Sequence, residues 1–344
     1  VAEGKAAPKE ALPSLEMEIL QFAYSEGFDR MNVLTANWGS GKSNHGGLRG
    51  EPPMVLPDEV IAARCADPVK LTREVKRVAR ICGAGVVGVA EFDERWVYAD
   101  VQRNHSSSEP SVRKPIHVVA DGDPHETDAA LHIPRSLHYV LALAVPMRRE
   151  MIATAPSLVA EAATSLGYSD AARVSLSVAA YIRAMGYRAI PSLNGTALSI
   201  PIAIQAGLGE CARNGLLVTG EYGPCVRLAK VFTDMPLVPG SPIDLGIRAY
   251  CAGCDECARH CPAQAISYGP PTYRGLNECN NDGALKWYVN AKKCLRYWVS
   301  SGTSCSACIA HCPFSMASGW WLGLPQRIVQ RTPLLNRAIH WLDR

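Results

Sequence analysis

The 344-residue chain has no apolar run approaching eighteen residues, so it offers no candidate helix that could cross a bilayer. It also lacks charge of one dominant sign. The 35 Lys and Arg nearly balance 32 Asp and Glu, and a formal net charge of +3 gives no footprint for nucleic acid. The opening VAEGKAAPKEALP has no charged stretch leading into an apolar one, so no secretory signal is legible there; a start on Val is expected of a trimmed or processed chain. Gly41-Lys42-Ser43 resembles the end of a phosphate loop, but that loop needs glycine five residues before Gly41, where Ala36 stands. No solenoid-type repeat and no His–Cys or Ser–His nucleophile signature is visible.

Cysteine, by contrast, is plentiful. Of 13 cysteines, eight gather at Cys251, Cys254, Cys257, Cys261, Cys294, Cys305, Cys308 and Cys312, while Cys65, Cys82, Cys211, Cys225 and Cys279 are scattered. An odd total with tight clustering argues against a disulfide framework in a chain of this length. The scattered ones, such as Cys82 in ARICGAGVVGVA, read as small core hydrophobes.

At 48% apolar and 19% charged, the composition is that of a globular protein able to bury a sizeable core. Residues 1–65, rich in Gly, Pro, Asn and Ser, are expected to wrap irregularly. Within 66–245, DPVKLTREVKRVARI predicts a helix, GAGVVGVAEF and HYVLALAVPM predict buried strands, and 156–187 predicts one or two helices with small residues on their packed faces. RAIPS and LSIPIAIQAGLG read as short strand or loop segments. Helices alternating with buried strands indicate an α/β or α+β core. Residues 246–316 are turn-dense with little core of their own, and 317–344 read as a helical tail, with SGWWLG at 318–323 as packing or docking surface.

The run CAGCDECARHCPAQAI sets Cys251, Cys254, Cys257 and Cys261-Pro262 at the spacing of bacterial ferredoxins. Three cysteines two residues apart reach one cubane, and the fourth, past a helical turn, ligates the other cluster. The second run, Cys305, Cys308 and Cys312-Pro313, has Gly302 where a further cysteine is expected, and Cys294, eleven residues before Cys305, substitutes. One [4Fe–4S] cluster is therefore assigned to Cys251, Cys254, Cys257 and Cys312, the other to Cys261, Cys294, Cys305 and Cys308. Paired zinc sites are the competing assignment, and they do not require this cross-shared arrangement.

From about Leu71 to Cys312 the chain resembles the reductive dehalogenases, corrinoid-dependent iron–sulfur enzymes of organohalide respiration. The resemblance rests on RICGAGVVGVAEFDERWVY, IPRSLHYVLALAV, AAYIRAMGYRAIPS, IAIQAGLGECARNGLLVTGEYGPCVRLAKVFTDMPL and NNDGALKWYVNAKKCLRYWVSSGTSCSACIAHCPF. It implies a nitroreductase-like core binding a base-off cobalamin, beside a ferredoxin-like two-cluster module. It further implies that halogen on carbon is replaced by hydrogen at reduced cobalt. The proton is implied to come from a tyrosine, best matched by Tyr168 in SLGYSDAARV, with Asn194 as a nearby polar group. Arg227 is matched as a cation that stabilises the tyrosinate, with Lys230 as the other contender. Tyr181 and Tyr187 compete with Tyr168. Thr233 and Trp287 are matched as corrinoid contacts, and the absence of Asp-x-His-x-x-Gly agrees with base-off binding.

The implied partners are a small organohalide and an external electron donor, a membrane-anchor or redox subunit, since no nicotinamide-dependent reductase segment follows the cysteine runs. Oligomerisation is compatible with this, nucleic acid is not expected, and the implied location is the outer face of the cytoplasmic membrane after twin-arginine export, with the cytoplasm as alternative. Two rival readings stand beside it. Epoxyqueuosine reductase, a tRNA-modifying relative, is expected to carry a catalytic carboxylate near Tyr168, where Asp170 is the only one. A corrinoid-free electron-transfer subunit would need only the cysteine runs.

Overall fold

The computed structural model describes residues 67–103 and 112–316. The expected wrapping segment 1–65, the tail 317–344 with its SGWWLG patch, and Cys65 lie outside the described residues.

The elements run α1 (Pro68–Ile81), β1 (Val86–Glu91), β2 (Asp100–Arg103), β3 (Val112–Val119), β4 (His125–Glu126), β5 (Leu131–Pro134), β6 (Tyr139–Pro146), α2 (Arg149–Ile152) and α3 (Leu158–Ala184). They continue with β7 (Ala189–Ser192), α4 (Ser199–Gln205), β8 (Gly209–Cys211), β9 (Leu217–Thr219) and β10 (Val226–Thr233). Five short helices follow: α5 (Ile247–Gly253), α6 (Glu256–Arg259), α7 (Ala291–Ser301), α8 (Ala307–Ala310) and α9 (Pro313–Met316).

The main sheet has the order β1-β6-β10-β7 and is antiparallel throughout. Successive strand residues point to opposite faces, and here both faces are covered. Leu141, Leu143 and Val145 of β6 join α1 and α3 on one side, while Val140, Ala142 and Ala144 pack toward α4 on the other. That is why HYVLALAVPM is continuously apolar rather than alternating. A second sheet, β2-β3-β5-β4, pairs β3 with β5 in parallel and adds Ile116, Leu131 and Ile133 to the second core.

Helix α1 starts as its sequence predicts. Asp67 caps it by accepting from the Val69 backbone N–H at 2.8 Å, and Pro68 takes the first turn. Its buried face, Leu71, Val75 and Ala79, repeats at helical spacing. The segment expected to hold one or two helices is the single 27-residue α3, whose buried side includes Ala160, Ala163, Gly167, Ala171, Ala172, Ser175 and Ala179. These small side chains bring its axis close to the sheet. The strand-or-loop reading of LSIPIAIQ is corrected, because it forms α4. Pro201 sits in the first turn, where a missing N–H costs no intrahelical bond.

The cysteine region does have a core, shared with the β8–β9 hairpin. Ala212 and Val218 pack with Ile247, Tyr250, Trp287 and Phe314. Of the scattered cysteines, Cys225 is buried, Cys82 and Cys211 are half-buried, and Cys279 is exposed, contrary to a core role for it.

Candidate functional site

Tyr168 lies inside α3. One face of α3 carries Glu161, Thr164 and Tyr168 at i, i+3 and i+7 spacing. The Glu161 carboxylate accepts from the Ser304 backbone N–H and hydroxyl, and Thr164 Oγ1 lies 3.2 Å from Ser306 Oγ. This face therefore anchors the second cysteine run and carries Tyr168 beside it.

Asn194, just past β7, donates from Nδ2 to Tyr168 Oη at 3.1 Å. Arg227 of β10 places its guanidinium carbon 4.5 Å from the centre of the Tyr168 ring. Gly167 makes this approach feasible. A Cβ there would lie 2.8 Å from Met147 Cγ and 3.0 Å from Arg227 Cγ, so a mid-helix glycine clears the path of the arginine stem. Arg227 Nε is buried with no hydrogen-bond partner, a vacancy that a polar ligand group would satisfy.

The competing residues lie elsewhere. Tyr181 donates to Glu74 Oε1 at 3.0 Å, and both Tyr181 and Tyr187 pack against the first core. Lys230 is three residues from Arg227 on β10 and so faces the opposite side of the sheet. There its ammonium donates to the Leu193 carbonyl and to Ser199 Oγ, and burial pushes its pKa down to about 7. Asp170 pairs with Arg173 at 3.6 Å and is absent from the lining of the cavity that Tyr168 faces.

That cavity, about 510 Å³, has Tyr168 and Arg227 on one wall and Cys261, Cys294, Cys305 and Cys308 on another. Trp287 also lines it, with its Nε1 held by the Gly269 carbonyl at 2.9 Å. Thr233 does not reach the cavity. It is fully buried at the far end of β10, roughly 20 Å along the strand from Arg227. Its hydroxyl is used twice, donating to the Arg188 carbonyl at 2.7 Å and accepting from the Met235 N–H at 3.0 Å. The corrinoid-contact expectation for Thr233 therefore finds no support.

All eight clustered cysteines are free, and Cys251, Cys254, Cys257, Cys261 and Cys312 are buried. Burial pushes Cys251 and Cys308 each up to about 12, and raises Cys257 and Cys312 further. Neighbouring thiols add to the rise in two groups. Cys257 is raised by Cys312, Cys251 and Cys254, whereas Cys294 is raised by Cys261 and Cys305. Cys308 belongs with Cys294, Cys305 and Cys261, and it also adds to Cys257 and Cys312, so the two groups adjoin. Crowded, buried thiols of this kind become stable when a metal displaces their protons.

Among the described residues, no three His, Cys, Asp or Glu side chains converge tightly enough for one mononuclear ion. Gln264, Cys305 and Ser306 adopt left-handed backbone conformations with φ of 48°, 63° and 62°, so the loops around both runs hold strain of the kind found at binding sites.

Comparison with known proteins agrees with this geometry. A family model for the reductive dehalogenase subunit matches residues 116–237, and one for a 4Fe-4S dicluster domain matches 250–316. The tetrachloroethene reductive dehalogenase of Sulfurospirillum multivorans is 44% identical over 284 residues, covering 80% of this chain and 56% of that protein. The chain belongs to the reductive dehalogenase family. It spans about half the length of the curated relatives it matches. A tetrachloroethene reductive dehalogenase of Desulfitobacterium hafniense is 34% identical over 298 residues, 78% of this chain and 52% of that protein.

Among solved structures, a catabolic reductive dehalogenase in complex with 3-bromo-4-hydroxybenzoic acid aligns with a TM-score of 0.71 at 21% identity, covering 94% of this chain and 40% of that one. The mixed α/β fold with its ferredoxin-like part is that of the family. Iron–sulfur clusters belong to the cysteine region through the dicluster match. Gly167, Glu161 and Ser306 escaped the sequence reading. A glycine inside an otherwise continuous helical segment was the one signal available for the first, and the other two gave none.

Proposed function

We propose that this chain is the catalytic part of an enzyme that replaces halogen on an organic substrate with hydrogen, consuming two electrons and one proton and releasing halide. The observation that carries this reading is that Tyr168, held by Asn194, and Arg227 line a cavity whose other wall is formed by a cluster-binding cysteine set. Cys251, Cys254, Cys257 and Cys312, and Cys261, Cys294, Cys305 and Cys308, would hold two [4Fe–4S] clusters that supply electrons singly, and a base-off corrinoid bound beside Arg227 and Trp287 would supply the metal centre for carbon–halogen cleavage. The unpaired Arg227 Nε and the Trp287 face suit such a cofactor.

The chain's own residues handle the proton. Tyr168 Oη donates it to the carbon that loses halide. Asn194 Nδ2 fixes the direction of that hydroxyl and becomes a stronger donor once the oxygen is anionic. Arg227, over the ring face, offsets the charge left on the tyrosinate. The phenol is then reprotonated from solvent before the next turnover.

The substrate class we infer is a chlorinated alkene, because two relatives carry tetrachloroethene in their names. Electrons are inferred to come from a separate redox or membrane-anchor subunit. The enzyme is further inferred to act at the outer face of the cytoplasmic membrane, which a twin-arginine segment encoded ahead of this chain would support and its absence would refute. The central test is anaerobic preparation with corrinoid, followed by quantitation of cobalt, iron and sulfide and a halide-release assay on tetrachloroethene with reduced viologen. Cobalt near one per chain, iron near eight and steady chloride release are expected. Loaded protein that releases no halide from any alkenyl or aryl halide would end this reading.

A further inference from the structure

Arg213, in the turn between β8 and β9, is 3% exposed, yet no carboxylate pairs with it among the described residues. Its hydrogen bonds go to five backbone carbonyls. Nε donates to Cys254 O at 2.7 Å and to Cys251 O at 3.2 Å, and Nη2 donates to Cys251 O at 2.7 Å. Nη1 reaches Ser267 O at 2.8 Å, Tyr268 O at 3.0 Å and Gly269 O at 3.0 Å. The guanidinium carbon also stands 4.8 Å from the centre of the Trp287 ring. Carbonyl dipoles satisfy the N–H groups but leave a full positive charge in the interior, which is costly unless an anion lies close by. The groups it touches identify that anion, since Cys251 and Cys254 are the first two thiols of one cluster set.

We propose that Arg213 is the built-in countercharge of the cluster held by Cys251, Cys254, Cys257 and Cys312, and that it raises the reduction potential of that cluster selectively. This rests on the cluster assignment above. A cubane with four thiolates is an anion, and each added electron makes it more so. A fixed cation beside it favours the reduced form, because net charge and hydrogen bonding set these potentials. None of the Arg213 hydrogen bonds reaches Cys261, Cys294, Cys305 or Cys308, so its influence on the second cluster is weaker. The fork of hydrogen bonds makes it a positioning residue as well, tying the first cysteine loop to the 267–269 segment and to Trp287 on the cavity wall.

The test is a redox titration of the fully loaded chain, followed by electron paramagnetic resonance, with parent, Arg213→Gln and Arg213→Lys compared. In Arg213→Gln one of the two clusters should titrate at a clearly lower potential while the other is unmoved. Arg213→Lys, which keeps the charge, should stay close to the parent. A loaded Arg213→Gln protein with both potentials unchanged, or with both moved alike, overturns the proposal. If Arg213→Gln takes up no iron, Arg213→Lys decides: loading at parental potential supports the countercharge, whereas failure to load or a strongly lowered potential shows a structural clamp only. If the cysteine region does not hold two clusters, the result reads differently, as parent protein lacking half or all of its iron.

Discussion

Asn194 Nδ2 donates to Tyr168 Oη across 3.1 Å, joining the loop after β7 to the middle of a 27-residue helix. The two residues are far apart in sequence, and the bond gives the phenol a fixed direction. Tyr168→Phe removes only the hydroxyl. It is expected to keep cobalt, iron and sulfide at parental levels and to lose about 10²–10⁴ in turnover, the usual worth of a positioned proton donor. Asn194→Ala should cost about tenfold, in keeping with one hydrogen bond. Halide release under reduced viologen reads both. A Tyr168→Phe protein with full activity would move the donor role to another group.

Gly167→Ala tests whether the glycine exists to seat Arg227. In an ordinary helix the change gains about 0.5–1 kcal/mol. Here the new methyl meets Met147 Cγ at 2.8 Å and Arg227 Cγ at 3.0 Å, and the arginine stem must move off the tyrosine ring. Turnover should fall at least about tenfold with cofactor content unchanged, since small displacements of a catalytic group are expensive. Parental turnover in Gly167→Ala would show that the arginine seat tolerates the extra carbon.

Much of this site was legible in the sequence, and the limits have physical causes. The ligand spacing of the first run is local, so it reads directly from Cys251 to Cys261. Tyr168, Asn194 and Arg227 came from family resemblance alone, because nothing local distinguishes a catalytic tyrosine from a packed one. The side of β10 that each residue faces needs the strand register, and this separated Arg227 from Lys230. Helix α4 was missed because its apolar residues and Pro201 imitate a buried strand, and only tertiary packing decides such short apolar runs. The surroundings of Thr233 were hidden for the same reason, as its hydroxyl is consumed by backbone groups that sequence does not bring together.

Lys230 predicts a pH dependence of stability. Burial holds its folded pKa near 7, against 10.5 for the free side chain. Between those values the unfolded chain carries a proton that the folded chain does not, so stability from this group rises with pH across that window. Below pH 7 the full cost of the buried ammonium is present. Lys230→Met removes the titration. Denaturant unfolding of both proteins at pH 7 and pH 10 should show the parent gaining on the variant by on the order of a few kcal/mol. Identical pH profiles would mean that Lys230 is solvated or ion-paired rather than buried as an amine donor to Leu193 and Ser199.

The two cysteine sets make separable predictions about iron. Cys294 lies on α7, a helix with no buried residue, and belongs with Cys261, Cys305 and Cys308. Cys312 is buried with Cys251 and Cys254 in the core shared with the β8–β9 hairpin. Cys294→Ser should therefore lower iron by about half and remove one of two spectroscopically distinct clusters, and Cys312→Ser should remove the other. Exposed Cys279, part of neither set, serves as the control, and Cys279→Ser should bind iron like the parent. Cys312→Ser is also expected to weaken the packing of Tyr250 and Phe314, whose rings lie 5.0 Å apart beside it, so its thermal midpoint should fall further than that of Cys294→Ser. Loss of the same cluster in both variants would show that the fourth cysteine of each run ligates within its own run, and would redraw the route by which electrons approach Tyr168.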